Sequence, residues 1–101
     1  NLGSFSQNDS TLGINDTVQY MCPLSNGQYI TSRAINQSTT TDVMFVLQDN
    51  NFKPISKMIV SHGGHGSSFS IEEADGAIYI WSITKPNLNV NEYAVSRIPY
   101  I

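Results

Sequence analysis

The sequence is poor in charged residues and contains a single cysteine. Only 13% of its 101 residues are Asp, Glu, Lys or Arg, and the formal net charge is -3. Because no basic run is present to displace counterions from a phosphate backbone, we expect no nucleic-acid partner. Cys22 can form neither a disulfide within the chain nor a cysteine-based zinc site. Its apolar neighbours indicate a buried, small hydrophobic residue.

The sequence also lacks long apolar runs and helical periodicity. No stretch has the length of a membrane-spanning helix, so we expect no membrane partner. No window keeps apolar residues three and four positions apart over enough turns to predict a helix. Asn, Ser and Thr provide most of the polarity, which favours an all-β protein of an extracellular or virion surface. Since the sequence begins with Asn rather than Met, we expect processing or an origin in a longer chain.

The strongest strand signal lies between residues 68 and 83. Apolar and polar residues alternate from Ser68 to Glu72, as in a strand that is buried on one face. Asp75-Gly76 supplies the two positive-φ positions of a tight hairpin turn. The following strand, residues 77–83, is apolar on both faces. Such a strand requires protein on both sides of its sheet.

Strand signals recur along the rest of the chain and suggest an internal repeat. They cover residues 17–22, 28–35, 41–48, 55–60, 68–72, 77–83 and 92–100. A shift of about fifty residues places the turn Asn26-Gly27 on Asp75-Gly76 and superimposes the flanking apolar positions. A four-stranded unit that recurs at this period is typical of a β-propeller blade.

The predicted fold is therefore all-β, with antiparallel four-stranded blades that make up about two blades of a larger β-propeller. An irregular N-terminal arm (1–16) precedes the first blade (17–60), an interblade link (61–66) and an incomplete second blade (67–101). Closed propellers have about four to eight blades. We therefore expect the remaining blades to come from the same polypeptide or a companion fragment, and the chain alone not to be independently stable.

A family resemblance covers roughly residues 17–101 and is specific only in its centre, the run at residues 58–81, which the strand at residues 42–47 precedes. Its matching motifs are Gly64-His65-Gly66, Phe69, Ile71-Glu72, Asp75-Gly76 and Tyr79-Ile80-Trp81. They resemble a signature of the β-propellers shared by receptor-binding tail proteins of some phages of Gram-positive bacteria and by teichoic-acid-biosynthesis-C-like proteins. The resemblance implies a propeller fold. It also implies a wall polysaccharide or teichoic acid as ligand, a place in the virion tail or baseplate acting at the host surface, and a homo-oligomer.

Host-cell attachment as part of a phage tail is accordingly the expected function. The alternative is an enzyme or accessory protein of cell-wall polymer metabolism, or a secreted bacteriocin of similar build. We expect no enzyme, because the sequence has no Gly-x-Ser-x-Gly nucleophile motif. In addition, Glu72 and Glu73 lie on opposite faces of a strand and cannot act together on one bond. We expect no cofactor.

The interblade link is the main candidate ligand site because it contains both histidines and three closely spaced glycines at one mouth of the channel. Its candidate residues are His62, Gly63, Gly64, His65, Gly66 and Ser67. Backbone N–H groups of successive glycines, with protonated histidine at mildly acidic pH, would suit a polyanion. The alternative is that the glycines only allow a sharp return of the chain, with His65 in a structural role. Two histidines without a third ligand do not predict a metal site.

Arg33 and Trp81 are lesser candidates. Arg33 lies in the middle of a predicted strand and could hold a polyol phosphate, although a structural pair with Asp42 or Glu73 is the alternative. Trp81 could stack on a sugar, as could Tyr29, Tyr93 or Tyr100. Core or interblade packing is the alternative for each, and we expect Tyr79 and Trp81 to lie on opposite faces of their strand, with one of them facing the core and the other the neighbouring blade.

Overall fold

The computed structural model describes residues 18–84 and 93–101, which form seven strands and no helix. The strands are β1 (Val18–Pro23), β2 (Tyr29–Ile35), β3 (Asp42–Gln48), β4 (Pro54–Val60), β5 (Phe69–Ala74), β6 (Ala77–Thr84) and β7 (Ala94–Pro99). Within these residues no helix is long and apolar enough to cross a membrane. The predicted arm at residues 1–16 lies outside the described residues, as do Thr17 and Glu92, the expected first residues of two strands.

The strands form two antiparallel sheets, one with four strands in the order β1-β2-β3-β4 and one with three in the order β5-β6-β7. This confirms the expected all-β class and the antiparallel meander in each unit. The strand order is that of propeller blades. The described residues do not by themselves form a closed ring.

The hairpin between β5 and β6 forms as its sequence predicts. Ala74 pairs with Ala77, so only Asp75 and Gly76 make the turn. Their φ angles are +51° and +78°, which is the pair of left-handed conformations that a two-residue type I′ turn requires. The prediction of a tight turn at this position is confirmed.

The core lies between the two sheets. Ile30, Val43 and Phe45 of the first sheet pack with Phe69 and Ile80 of the second. The rings of Phe45 and Phe69 meet edge to face, with centroids 5.3 Å apart and planes at 83°, a favoured aromatic geometry. This contact joins the centre of β3 to the start of β5.

Cys22 lies at the margin of this core and is half-buried. Its Sγ donates a hydrogen bond to the carbonyl oxygen of Phe69 at 3.1 Å. Burial raises the pKa of the Cys22 thiol, which keeps it protonated as a donor. The thiol therefore contributes to sheet packing, in line with its expected structural role.

The second sheet presents an outer face that is only partly covered. Tyr79, Trp81 and Ile83 project from this face of β6, and Trp81 is 40% and Ile83 55% exposed. Our expectation that one of Tyr79 and Trp81 faces the core is wrong, because residues two apart in a strand share a face. The core-facing positions of β6 are the even-numbered ones, including the fully buried Ile80.

Candidate ligand-binding groove

The link at residues 61–68 passes from the end of β4 to the start of β5. Asp42, the first residue of β3, holds it in place. One Asp42 oxygen accepts a hydrogen bond from the backbone N–H of His62 at 3.3 Å, and the other accepts one from Asn36 Nδ2 at 3.0 Å. Hydrogen bonds from Asn36 and Thr40, followed by that from His62, hold the pKa of Asp42 below its usual range. The carboxylate thus ties the link to the loop that connects β2 and β3.

The three glycines of the link are buried, and two of them have positive φ, +82° at Gly64 and +72° at Gly66. A Cβ on Gly66 would lie 3.0 Å from Val43 Cγ1 and 3.1 Å from Ser32 Cβ. The backbone N–H of Gly64 donates to the Thr41 carbonyl, and the Gly66 carbonyl accepts from Ser32 Oγ. This geometry supports the sharp return and close packing that were the alternative to a ligand-binding role for these residues.

Gln37 connects the loop at residues 36–41 to the link. Its Nε2 lies within hydrogen-bond distance of three carbonyl oxygens, those of Gly64 at 2.9 Å, Asp42 at 3.1 Å and Ile35 at 3.2 Å. Its Oε1 is 3.2 Å from Nδ1 of His65. The imidazole of His65 is exposed to solvent. Its orientation is nevertheless fixed by its contact with the Gln37 amide.

Two adjoining grooves flank His65 and Tyr93, and we refer to them together as the His65 groove. The first, of about 280 Å³, is lined by Gln37, Thr41, Gly64, His65 and Tyr93. The second, of about 250 Å³, is lined by Gly64, His65, Gly66, Ser67, Ser68, Ile83 and Tyr93. Tyr93 is 59% exposed. None of the described residues that line the His65 groove is Lys, Arg, Asp or Glu.

The His65 groove includes some of the residues that the sequence suggested and some that it did not. Sequence reasoning named His65, Ser67 and the glycines, and considered Tyr93 as one of several possible stacking residues. It did not name Gln37, Thr41 or Ser68. The predicted meander could have indicated Gln37 and Thr41, because in consecutive antiparallel strands the β2–β3 loop and the link lie at the same end of the sheet.

Arg33 lies away from this groove. It is fully buried on the outer face of the first sheet, opposite Met44, and its Nη2 lies 3.4 Å from Gln48 Oε1. The Gln48 amide also accepts from Thr31 Oγ1 at 2.6 Å and donates to the Phe52 carbonyl at 2.6 Å. In this arrangement the guanidinium belongs to a buried polar network of the first sheet.

Trp81 also lies outside the groove, on the outer face of the second sheet. Its Nε1 donates to Glu72 Oε1 at 3.1 Å, and Arg97 Nε forms an ion pair with the same oxygen at 2.8 Å. The Arg97 guanidinium lies 3.6 Å above the ring of Tyr79. The hydrogen bond from Arg97, followed by that from Trp81, lowers the pKa of Glu72.

The two glutamates have separate partners, which agrees with their opposite faces. Glu73 accepts hydrogen bonds from the backbone N–H and the hydroxyl of Ser25 at 3.1 and 2.9 Å, whereas Glu72 pairs with Arg97. Over residues 18–84 and 93–101, no three side chains of His, Cys, Asp or Glu come together as a metal site would require.

Comparison with known proteins matches residues 19–100 to the model of a family described as phage 5-bladed beta propeller receptor binding platform domain. A segment of 34 residues is 50% identical to a protein of Bacillus subtilis (strain 168) that is named as a major teichoic acid biosynthesis protein C. That segment represents 33% of this chain and 8% of the relative's length. No solved structure matches the chain.

Proposed function

We propose that this chain, which belongs to the family of phage 5-bladed β-propeller receptor-binding platform domains, attaches a phage tail to its host by binding wall teichoic acid or a related wall polymer. The observation that carries the proposal is the family match over residues 19–100. It supports a receptor-binding role in the virion. That the receptor is a wall polymer is a more specific proposal, and two further observations favour it.

The first observation is chemical. The His65 groove offers an imidazole, an exposed phenol and several hydroxyl and amide groups, which together suit a ligand rich in oxygen atoms. The second is the short relative whose name refers to teichoic acid biosynthesis. A polymer of the Gram-positive wall is a ligand consistent with both.

Further blades complete the propeller in this proposal. The first sheet corresponds to a blade at residues 17–60 and the second to part of a blade at 67–101, joined by the link at 61–66. The other blades of a five-bladed ring come from the same polypeptide or from a companion fragment. The exposed apolar residues on the outer face of the second sheet, among them Ile83 and Val95, fit contact with the next blade.

A homo-oligomer in the tail would supply affinity that one site lacks. A single exposed hydrogen bond or ion pair contributes only about 1 kcal/mol, so one shallow groove binds weakly. Several copies on one virion raise the apparent affinity because each later contact is intramolecular. Attachment to a repetitive wall polymer suits this arrangement.

Adsorption to purified cell walls tests the proposal. The intact receptor-binding protein should bind walls that carry teichoic acid and should not bind the same walls after the polymer has been extracted. Equal retention on both preparations would contradict a teichoic acid receptor.

A second candidate, in wall polymer metabolism, is favoured by the name of the relative from Bacillus subtilis. In the described residues Glu72 and Glu73 are separated by the sheet and bonded to different partners. Incubation of the protein with purified teichoic acid distinguishes this candidate. Release of shortened polymer would favour an enzyme, and recovery of unchanged polymer in the bound fraction would favour attachment.

A further inference from the structure

We infer that the His65 groove binds the hydroxyl groups of a neutral sugar or polyol unit, with Nε2 of His65 as a hydrogen-bond acceptor, rather than the phosphate of a wall polymer. This inference rests on the proposed attachment function and assigns the part of the polymer that is recognised. It differs from the polyanion site with protonated histidine that the sequence suggested.

Gln37 determines the tautomer of His65. The Nε2 of Gln37 faces three carbonyl oxygens, so the amide orientation is fixed and Oε1 is the atom that meets His65. An amide oxygen only accepts hydrogen bonds. At 3.2 Å, Nδ1 of His65 must therefore carry the proton that it donates to Gln37. In the neutral imidazole the other nitrogen, Nε2, is then an acceptor.

The charge of the His65 groove favours a neutral ligand. Among the described residues that line the groove, none is Lys or Arg, and the whole chain has a net charge of -3. Phosphate sites in proteins commonly rely on Arg, Lys or clustered backbone N–H groups. Here the N–H of Gly64 is already bonded to the Thr41 carbonyl. A neutral ligand suits this surface better than an anion does.

The His65 groove also has an exposed aromatic ring. Tyr93 borders both parts of the groove and is 59% exposed. An amphipathic ring beside polar groups can pack against the apolar face of a sugar, and its phenol can hydrogen-bond to a hydroxyl group. Ser67 and Ser68, which are exposed, add hydroxyl groups to the lining of the second part of the groove.

The two ligand chemistries predict opposite responses to pH. Protonation of Nε2 removes the acceptor that a sugar hydroxyl needs, whereas it would create a cation for phosphate. Among the described residues, the other titratable groups around the link are Tyr93, which lines the groove, His62 within the link, and Asp42, which accepts a hydrogen bond from the His62 N–H. Asp42 is held as a carboxylate by its hydrogen bonds, so its charge is constant across the range in which histidine titrates.

The experiment measures binding of the intact receptor-binding protein to two probes, poly(glycerol phosphate) with glucosyl substituents and the same polymer without them. Titration calorimetry at about pH 8 and about pH 5 spans the change in histidine charge. We expect the substituted polymer to bind about tenfold more tightly, and acidification to weaken its binding. Tighter binding of either polymer at the acidic pH, or equal binding of both, would overturn the inference.

Variants of the groove locate the effect. His65→Ala and Tyr93→Ala should each weaken binding of the substituted polymer by about tenfold. His65→Gln places an amide oxygen near the position of Nε2, so it should keep the binding but lose its dependence on pH. Lys53→Gln, at the opposite end of the sheets, should behave as the wild type.

The outcomes distinguish an error in the assigned site from an error in the proposed function. If the wild type binds neither polymer but adsorbs to walls that carry teichoic acid, the inference fails while the proposed function stands; if it does not adsorb to such walls either, both fail. If the wild type binds and the folded His65→Ala variant binds equally well, only the site assignment is wrong. If circular dichroism shows that His65→Ala is unfolded, His65→Gln decides: a pH response that persists in this variant overturns the role of Nε2.

Discussion

Individual residues of the link divide into two groups with different environments. Gly63 and Gly66 are buried against Val43, and Gly64 is buried against the backbone of Ile83, whereas His65 and Ser67 face solvent. The glycines of the link therefore serve packing, whereas His65 and Ser67 are available for binding. The close approach of Gly66 to Val43 also places the link directly over β3.

Substitution of Gly66 tests the packing role. Gly66→Ala adds a Cβ at φ +72° and 3.0 Å from Val43 Cγ1, so it combines backbone strain with overpacking. Gly27→Ala is the matched control, because Gly27 has φ +89° but no atom within 4 Å of the added Cβ. We expect Gly66→Ala to lower the free energy of unfolding by about 1–3 kcal/mol more than Gly27→Ala does. Urea unfolding of the intact protein measures both, and equal losses would contradict the packing role.

Sequence reasoning succeeded at the residue scale where the chemistry is local. Asp75-Gly76 makes a type I′ turn because those two residue types tolerate positive φ, which neighbours along the chain are enough to reveal. The role of Gln37 could not be predicted in this way. Its amide acts through contacts with Gly64 and His65, 27 and 28 residues away, and nothing in the residues next to Gln37 indicates them.

At the scale of elements, β3 and β6 were both predicted from their runs of apolar residues. β3 is buried on both faces, with Val43, Met44, Phe45 and Val46 at most 4% exposed. β6 has the same double-sided apolar pattern, yet its outer face remains partly open. Apolar residues on both faces of a strand thus predict that both faces are buried, but they do not identify the part of the protein that buries each face.

Asp42 connects three elements, and its ionisation should make that connection sensitive to acid. Its folded pKa is lowered, so its contribution to stability is present above the unfolded pKa of about 4 and is lost as pH falls through the folded value. We expect Asp42→Asn to be less stable at neutral pH and to lose less stability than the wild type between about pH 5 and pH 3. The Asp42→Asn variant should still lose some stability in acid, because Glu72 also has a lowered pKa.

Thermal unfolding across this pH range provides the measurement. Asp75→Asn is the control, since Asn also tolerates the positive φ of this exposed turn and should retain the acid response of the wild type. An Asp42→Asn variant whose melting temperature falls with acid as steeply as that of the wild type would show that the carboxylate does not stabilise the link.

At the scale of the whole molecule, the two sheets share one core, and in the described residues the outer face of the second sheet is only partly covered. Val95 is 71% exposed and Ile83 55% exposed, beside the network of Trp81, Glu72 and Arg97. Apolar residues grouped on one face indicate a contact surface. The sequence predicted the need for a neighbour here, because a strand with two apolar faces belongs inside a layered structure.

Val95→Lys tests whether another blade covers this face in the intact protein. In the chain described here a lysine at this position would be largely solvated, so an open face predicts a small change, within about ±0.5 kcal/mol. A covering blade predicts a loss of about 1–3 kcal/mol, because the charged group would be forced into an apolar contact. Asn50→Lys, in the exposed turn between β3 and β4, is the control for the added charge. We expect the larger loss at Val95 in denaturant unfolding of the intact protein, whereas a change no greater than that of Asn50→Lys would mean that this face is not an interblade surface.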